Sequence, residues 1–333
     1  MADDASTLPV EFADDGRLSP LSTPSATRAV LEAHGIGTKY TLGQNFLVND
    51  DVLKKIIALA EVQPTDRILE VGPGIGTLTI ALLKHAASVV SIERDPDLPA
   101  VLADTLWPWR EKFALIEKDA LDVTERDIIS AATTFGEGDD EPSAQPNKLV
   151  ANLPYAVAAT VVLDYFHQFP GLQSATVMVQ KEVADRMAAT VGTKNYGAYT
   201  VKLGLYARPA GRFAVGPGNF FPPPRVDSAV IRLDRAVPLD AAGAPASPEL
   251  VAAACTMADA AFANRRKTLA NSCKTYFAGR KEPVDLPALF EAAAIDPKRR
   301  GETLNQQEFL ALGAALVKVR TASCGEMREK GGR

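Results

Sequence analysis

The segment Asn152-Leu153-Pro154-Tyr155 directly follows an apolar run at residues 148–151. It brings together an amide, a backbone carbonyl fixed by the following proline, and an aromatic ring. The amide oxygen and the carbonyl can accept the two N–H bonds of an exocyclic amino group, and the ring can stack on the base. A strand-to-loop corner without chemistry can have the same four residues. Whether this segment binds a base therefore depends on which residues follow the other predicted strands.

A glycine-rich turn, Glu70-Val71-Gly72-Pro73-Gly74-Ile75-Gly76, closes the first predicted strand and opens a helix. Glycines there let the backbone approach a ligand closely, with a helix N-terminus beneath. A dinucleotide fingerprint requires G-x-G-x-x-G, but the residue three after Gly74 is Thr77. The observed spacing favours a cofactor without pyrophosphate, such as S-adenosylmethionine.

Carboxylates follow the next two predicted strands. Glu93 can accept both hydroxyls of a ribose, and a solvated strand-end acid is the alternative. Asp119 can accept from an adenine amino group, and helix capping is the alternative. Because the carboxyl ends of parallel strands meet at one edge, we expect Gly72, Glu93, Asp119 and Asn152 to converge where open α/β sheets bind ligands.

The elements that position these residues alternate along the chain. Strands are predicted at 67–71, 88–92, 113–117 and 148–151, and helices at 51–61 (capped by Asp50), 77–84 and 96–106, with a further helix that follows the fourth strand and ends at about 168. Later runs at 175–180, 212–215 and 225–233 complete a sheet of about seven strands. This order is typical of a parallel, doubly wound α/β sheet.

The predicted domain organisation follows composition. Residues 1–35 are expected to be a flexible acidic tail with a short helix at 26–34, and residues 36–235 the α/β domain. Residues 236–247 are a small-residue linker, 248–320 a helical domain and 321–333 a C-terminal tail. The helices of that domain are predicted at 248–263, 266–277, 286–293 and 306–319, and residues 136–147 are an acidic loop insertion.

Charge is distributed unevenly over the 333 residues, whose net charge is −5. Residues 260–333 hold 14 lysines and arginines against 8 acids, a net +6, which leaves −11 for the rest. A basic patch on an acidic chain can still bind phosphate, because the field is local beyond a Debye length of about 8 Å. Arg265, Arg266 and Lys267 are the best phosphate candidates, with a solvated helix face as the alternative.

Other classes of protein are disfavoured by the composition. The cysteines and histidines lack disulfide or metal-ligand spacing: Cys255, Cys273, Cys324, His34, His85 and His167. No apolar run approaches the roughly 20 residues of a membrane span. We therefore expect a cytoplasmic protein without a metal site or a membrane association.

With these residues in hand, the chain resembles the KsgA/RsmA-type small-subunit rRNA adenine dimethyltransferases, from about residue 39 to 315. Gly43-Gln44-Asn45-Phe46-Leu47 is similar to the family's N-terminal motif, and residues 70–76, Glu93, Asp119 and 152–155 are similar to its cofactor and amine-binding motifs. Later blocks that match are residues 180–184, Tyr196-Gly197, residues 221–230 and Asn264-Arg265-Arg266-Lys267-Thr268. Ala198-Tyr199-Thr200-Val201 departs from the usual pattern.

The resemblance implies a Rossmann-like class I S-adenosylmethionine-dependent methyltransferase with a helical rRNA-binding domain. Its reaction would transfer methyl groups to N6 of two adjacent adenosines in the 3′-terminal hairpin loop of 16S rRNA, with a role in small-subunit biogenesis. The partner is then 16S rRNA or the assembling 30S subunit, and a monomer is the default expectation.

The resemblance also implies roles for individual residues. The cofactor residues would be Gln44, Asn45, Leu47, Gly72, Gly74, Glu93, Asp119, Ala120 and Asn152. The catalytic corner would comprise Asn152, Leu153, Pro154, Tyr155 and Phe221, without a general base. Tyr155 and Phe221 are the candidates to sandwich the adenine, and a core position before a proline run is the alternative for Phe221.

Two alternatives remain. An Erm-type enzyme, which methylates an adenine of large-subunit rRNA, shares the cofactor motifs, but residues 180–182, 226–230 and 264–268 are of the small-subunit type. A non-catalytic assembly factor on the same fold is disfavoured by the intact Glu93, Asp119 and residues 152–155. The glycine spacing excludes a nicotinamide dehydrogenase.

Overall fold

The computed structural model describes residues 16–36, 45–135, 145–280 and 284–330, with side chains up to residue 321. The chain divides into two compact units. The first holds the described residues up to Ala184 together with Pro209–Asp234, and the second holds Asp185–Arg208 and the described residues from Arg235 onward. Gln44 and most of the 136–147 insertion lie outside the described residues.

The elements from α1 to β9 alternate largely as predicted. The helices are α1 (Pro24–Ala33), α2 (Asp50–Ala60), α3 (Thr77–Leu83), α4 (Leu98–Thr105), α5 (Glu125–Ala132), α6 (Ala158–Gln168), α7 (Lys181–Met187) and α8 (Ala198–Gly204). The strands are β1 (Phe46–Leu47), β2 (Arg67–Val71), β3 (Ser88–Glu93), β4 (Phe113–Glu117), β5 (Lys148–Asn152), β6 (Ser174–Gln180), β7 (Ala207–Val215), β8 (Phe220–Phe221) and β9 (Ser228–Arg235).

Seven strands form one sheet in the order β4-β3-β2-β5-β6-β9-β7, which confirms the predicted class I methyltransferase sheet. The strands from β4 to β6 are parallel, and β9 pairs antiparallel with β6. The sheet is therefore mixed rather than wholly parallel. Ile68, Val89 and Val150 in its centre are fully buried, as expected for strands covered by helices on both faces.

A two-stranded ribbon that the sequence did not predict joins β1 to β8. Phe46 pairs with Phe221 and Leu47 with Phe220 in an antiparallel register. The backbone N–H of Val48 donates to the Asn219 carbonyl at 2.9 Å. Such short strands carry no recognisable periodicity, so only their pairing partner reveals them.

The N-terminal segment departs from the predicted flexible tail, because residues 16–36 are folded onto the first unit. Leu21, Val30 and Leu31 are at most 4% exposed and belong to the same hydrophobic cluster as the core of α2 and α3. The helix predicted at 26–34 is present as α1, and the Thr23 side chain caps it by accepting from the Ala26 N–H. The tail prediction is therefore wrong for these residues.

Asp50 does not cap α2 as predicted; Asn49 does, accepting from the N–H groups of Asp51 at 2.9 Å and Val52 at 3.3 Å. The Asp50 carboxylate instead accepts from the Leu18 N–H at 2.8 Å and the Ser19 N–H at 3.3 Å. The Asp50 carboxylate is thus engaged by the N-terminal segment, and the preceding residue, Asn49, caps the helix.

The second unit contains α8 and four further helices, α9 (Pro248–Phe262), α10 (Leu269–Phe277), α11 (Leu286–Ala293) and α12 (Gln306–Lys330). Residues 185–208, predicted to lie in the α/β domain, belong here because Tyr196 and Val201 are buried with Met257 and Phe309. The Tyr196 hydroxyl also donates to the Leu304 carbonyl at 2.8 Å. The helical domain is therefore present, with this earlier segment as part of it.

The last helix extends further than predicted. The tail expected at 321–333 is helical up to Lys330. Residues 321–330 contain no proline and one glycine, Gly325, which costs only about 1 kcal/mol in a helix. None of the helices described is long and apolar enough to cross a membrane.

A buried ion pair joins β5 to the turn that precedes β2. The Lys148 Nζ lies 2.8 Å from the Asp66 Oδ2, and the two residues are 9% and 4% exposed. The Gln63 N–H and the Asn147 amide also donate to this carboxylate, and Lys148 donates to the carbonyls of Ala60 and Glu61. Burial would raise the pKa of Asp66, but the hydrogen bonds from Lys148 and Asn147 outweigh it, and the pKa is lowered.

We expect Lys148→Met to lower the free energy of unfolding by about 3–5 kcal/mol, because it leaves a buried carboxylate without its counter-charge. Urea denaturation at pH 7 measures the loss. The double variant Asp66→Asn/Lys148→Met is the control and should lose less, since no buried charge remains unpaired. A loss below about 1 kcal/mol in the single variant would contradict the assignment.

Candidate active site

The turn between β2 and α3 brings the backbone close to the cavity. Gly72 and Gly74 have φ values of +70° and +61°, a region that residues with a Cβ rarely adopt. A Cβ at Gly74 would lie 3.1 Å from the Phe46 ring, and one at Gly72 would lie 3.4 Å from the Pro154 ring. Both glycines are therefore favoured by their backbone conformation, and Gly74 also by the close approach of the Phe46 ring.

Glu70 supports this turn from below. Its Oε2 accepts from the Thr79 hydroxyl of α3 at 2.7 Å and from the Ser91 hydroxyl of β3 at 2.8 Å, and the residue is 1% exposed. Burial raises the pKa of Glu70 to about 7, and the nearby Glu93 adds to the rise. A single carboxyl group thus links the β2 end to α3 and β3.

Glu93 ends β3 with its carboxyl group held by the backbone that follows. The N–H groups of Arg94 and Asp95 both donate to its Oε1 at 2.8 Å. Burial raises the pKa of Glu93 in spite of these bonds. The fixed carboxyl group lines the cavity, so Glu93 is not the freely solvated acid that was the alternative.

Asp119 follows β4 and engages both carboxylate oxygens. Its Oδ1 accepts from the Leu121 N–H at 3.0 Å, and its Oδ2 accepts from the Arg94 guanidinium at 2.8 Å. These two donors hold the pKa of Asp119 below its usual value. Asp119 does not cap a helix, because α5 begins later with Thr124 as its cap.

The next residue, Ala120, is positioned by α6. The buried Tyr165 hydroxyl donates to the Ala120 carbonyl at 2.9 Å. Burial raises the pKa of Tyr165, with smaller contributions from Asp119 and Asp164. The phenol therefore stays neutral and fixes the loop after β4.

The corner after β5 contains the predicted amine-binding segment. The Asn152 amide nitrogen donates to the Asn45 carbonyl at 3.2 Å, so the oxygen Oδ1 is the end of the amide left to accept. The Leu153 N–H donates to the Met178 carbonyl at 3.1 Å. The hydroxyls of Tyr155 and Ser228 are hydrogen-bonded at 2.7 Å, which holds the half-buried ring.

These segments line one cavity of about 370 Å³ in the first unit. The predicted site residues that line it are Asn45, Leu47, Gly72, Gly74, Glu93, Asp119, Ala120, Asn152, Leu153, Pro154 and Tyr155. Every predicted cofactor residue except Gln44, which lies outside the described residues, is therefore brought together. Their roles remain predictions.

Phe221 is not among the residues that line this cavity. It lies on the β1–β8 ribbon opposite Phe46, and the Arg28 guanidinium is 5.3 Å from the centre of its ring. Phe221 is partly buried and packs against the hydrophobic core of the first unit, which agrees with the alternative interpretation of Phe221 as a core residue. Tyr155 lines the cavity and Phe221 does not, so the two rings do not form the predicted sandwich around the adenine.

Sequence reasoning did not assign several residues that line the cavity. Glu70 was quoted only as the first residue of the glycine motif, yet it is the buried support of the turn. Arg94 was given no role, because its pairing with Asp119 depends on the adjacency of β3 and β4. Leu98 opens α4 and adds an apolar surface, signalled only by its place after an Asp-Pro-Asp turn.

The residues present fit S-adenosylmethionine. The two glycines form a cradle that a Cβ would fill, and the carboxyl group of Glu93 suits a pair of ribose hydroxyls. Buried Ile92 and Leu98 provide apolar walls for an adenine ring. Among the residues that the structure describes, no group of three His, Cys, Asp or Glu could hold a metal ion.

The three predicted phosphate-binding residues lie in the second unit and differ in the bonds that they make within the protein. Arg265 donates to the Glu302 carboxylate at 3.2 Å and to the Thr193 carbonyl at 3.3 Å. Arg266 and Lys267 are exposed in the turn before α10, which starts at Leu269 rather than at residue 266 as predicted. Arg265 is therefore bonded within the protein although it too is exposed, whereas the described residues show no such bond for Arg266 and Lys267.

The fold and the cavity define a class I S-adenosylmethionine-dependent methyltransferase. Residues 37–312 match the family described as Ribosomal RNA adenine dimethylase. The chain belongs to this family, as the motif resemblance indicated.

Curated relatives agree with this assignment. The chain is 38% identical over 294 residues to Ribosomal RNA small subunit methyltransferase A of Staphylococcus epidermidis, covering 88% of this chain and 94% of the relative. It is 39% identical over 293 residues to the protein of the same name from Thermobifida fusca, covering 87% and 94%.

Solved structures share the fold. A dimethyladenosine transferase from Plasmodium falciparum matches with a TM-score of 0.61 and 23% identity, over 80% of this chain and 95% of that one. The 23S rRNA methyltransferase ErmE matches with a TM-score of 0.56 and 22% identity, over 82% and 100%. At these identities the likeness supports the fold alone.

The raised pKa of Glu70 predicts a pH-dependent stability. The folded protein holds this proton up to about pH 7, whereas the unfolded chain releases it near the ordinary glutamate value. The contribution of Glu70 is thus fully present below the unfolded pKa and is lost as pH rises through the folded one. Glu70→Gln keeps an acceptor for both hydroxyls and removes this loss.

We expect the stability of Glu70→Gln relative to wild type to increase by about 3 kcal/mol between pH 4.5 and 8. Urea unfolding at several pH values measures it. Gln173→Glu adds an exposed carboxylate and serves as a control that should show no such trend. A difference independent of pH would show that Glu70 is ionised throughout.

Proposed function

We propose that this enzyme transfers methyl groups from S-adenosylmethionine to N6 of two adjacent adenosines in the 3′-terminal hairpin loop of 16S rRNA, during small-subunit biogenesis. The orientation of the Asn152 amide carries the proposal. Its nitrogen is engaged by the Asn45 carbonyl, so its oxygen is left to accept, and Leu153, whose carbonyl would be the second acceptor, lines the same cavity. Two acceptors suit a primary amine that loses its protons in turn.

We propose that the chain's own residues act mainly by positioning. S-adenosylmethionine supplies an electrophilic methyl group when it is bound. Glu93 would hold its ribose hydroxyls and Asp119 its adenine amino group, through lone pairs not used by Leu121 and Arg94. Asn152 and Leu153 would accept from the target amine and aim its lone pair, and no residue is assigned as a general base.

The target base must leave its stack to enter the cavity. This costs a few kcal/mol, and least in a loop. We propose that Tyr155 stacks on it, since its hydroxyl bond to Ser228 fixes the ring before the base arrives. Base–aromatic stacking contributes about 1–3 kcal/mol.

Substrate choice is supported by the relatives. Those reported above are named for the small subunit at 38–39% identity, whereas the ErmE likeness is limited to the fold. We propose that residues 248–320 bind the rRNA of the assembling 30S subunit, and that the protein is a cytoplasmic monomer.

A methyl-transfer assay with labelled S-adenosylmethionine tests the function. Unmethylated 30S and 50S subunits would be offered side by side and the modified base mapped. Dimethylated adenosines at the paired positions of 16S rRNA are expected. Label in the large subunit would indicate an Erm-type enzyme, and 30S binding without label an assembly factor.

We expect Asn152→Ala to lower kcat about 100-fold while S-adenosylmethionine affinity changes less than about threefold, because the lost acceptor acts on the amine. Single-turnover kinetics and calorimetric titration measure the two. Tyr155→Phe, which keeps both amine acceptors and the stacking ring and loses only the Ser228 bond, is the control and should lose less activity than Asn152→Ala. An equal loss of turnover and cofactor affinity would refute the assigned role.

We expect Arg266→Gln and Lys267→Gln each to reduce the slope of log affinity for 30S subunits against log salt by about one, as for a lost phosphate contact. Arg265→Gln is the matched control. It should change that slope less and stability more, because Arg265 is bonded to Glu302 and Thr193. Equal slope changes in all three variants would contradict this division.

A further inference from the structure

The exposed arginine of α1, Arg28, lies over an aromatic ring of the β1–β8 ribbon. Its guanidinium carbon is 5.3 Å from the centre of the half-buried Phe221 ring, within the range of a cation–π interaction. Neither residue lines the cavity. The pair therefore has no part in holding the cofactor.

The helix that carries Arg28 is fixed at both ends. Before it, the Asp50 carboxylate accepts from the backbone of Leu18 and Ser19. After it, the His34 ring lies 3.3 Å from the Asp104 carboxylate. Because Val30 is buried on the opposite face of α1, the helix presents Arg28 from a rigid support.

Strand β1 connects the Arg28–Phe221 pair to the cavity. Phe221 is the register partner of Phe46, and both Phe46 and the preceding Asn45 line the cavity. Asn45 also accepts the hydrogen bond that orients Asn152. The guanidinium is thus held beside the wall at which the amine would bind.

The charge of Arg28 is not neutralised by the described part of the chain, where no carboxylate forms an ion pair with it. Arg94 and Arg232, by contrast, pair with acids at 2.8 Å or less. A guanidinium that lies on a ring keeps the N–H groups at its edge for a planar, bidentate acceptor. A phosphate diester has that geometry and charge.

We propose that Arg28 binds a backbone phosphate of the RNA next to the adenosine that enters the cavity, and that Phe221 positions its guanidinium. The proposal rests on the function proposed above. It makes α1 part of the substrate-binding surface, and it gives Phe221 a role through Arg28 instead of through direct stacking on the base.

Affinity for unmethylated 30S subunits between 50 and 200 mM salt tests the proposal. Arg28→Gln should weaken binding about 3- to 10-fold and reduce the slope against log salt by about one, with unchanged calorimetric affinity for S-adenosylmethionine. Arg110→Gln is the matched control, because Arg110 also lies over an exposed ring, 4.6 Å from Trp107, away from the cavity lining. It should bind like wild type.

The Phe221→Leu variant distinguishes a ring that positions Arg28 from a ring that stacks directly on the base. If the ring acts through Arg28, Phe221→Leu should weaken binding no more than Arg28→Gln, and the double variant should be no weaker than Arg28→Gln alone. Additive losses would overturn the assigned role of Phe221. Urea midpoints of all variants check that each is folded.

Failure of this inference can be distinguished from failure of the proposed function. Wild type that methylates 16S rRNA, together with an Arg28→Gln variant whose affinity and salt slope are unchanged, overturns this inference alone. Wild type that neither binds nor methylates 30S subunits overturns the proposed function and the inference with it.

Discussion

The parallel pairing of β2, β3, β4 and β5 is the constraint on which the site depends. Because these strands run in the same direction, their carboxyl ends share one edge, and residues far apart in sequence meet there. The side chains at that edge are then fixed by short local bonds. Backbone N–H groups hold Glu93, a neighbouring arginine holds Asp119 and a backbone carbonyl holds Asn152.

The site also depends on buried groups that hold the segments around the cavity in place. Glu70 ties the glycine turn to α3 and β3, and Tyr165 ties the Ala120 loop to α6. Both are buried and hydrogen-bonded, so each fixes backbone that lines the cavity. Such supporting groups give a positioning enzyme its precision, since displacement by about 1 Å can cost on the order of 100-fold in rate.

The sequence predicted the sheet and the cavity well for a physical reason. Strand ends, glycine spacing and the Asn152–Tyr155 segment are local signals, and the parallel topology converts them into one site. Features that depend on distant partners were missed or wrong. The Arg94–Asp119 pair and the β1–β8 ribbon require contacts between separate segments, and Asp50 was misassigned because its partners lie in the N-terminal segment.

The burial of Leu21 and the residues of α1 has a consequence for how the enzyme can be trimmed. The family match starts at residue 37, just after this segment. A shortened protein cut at that boundary would lose Leu21, Val30 and Leu31 from the cluster shared with α2 and α3. It would expose an apolar groove on its surface, so a boundary drawn by similarity alone would yield a protein prone to aggregation.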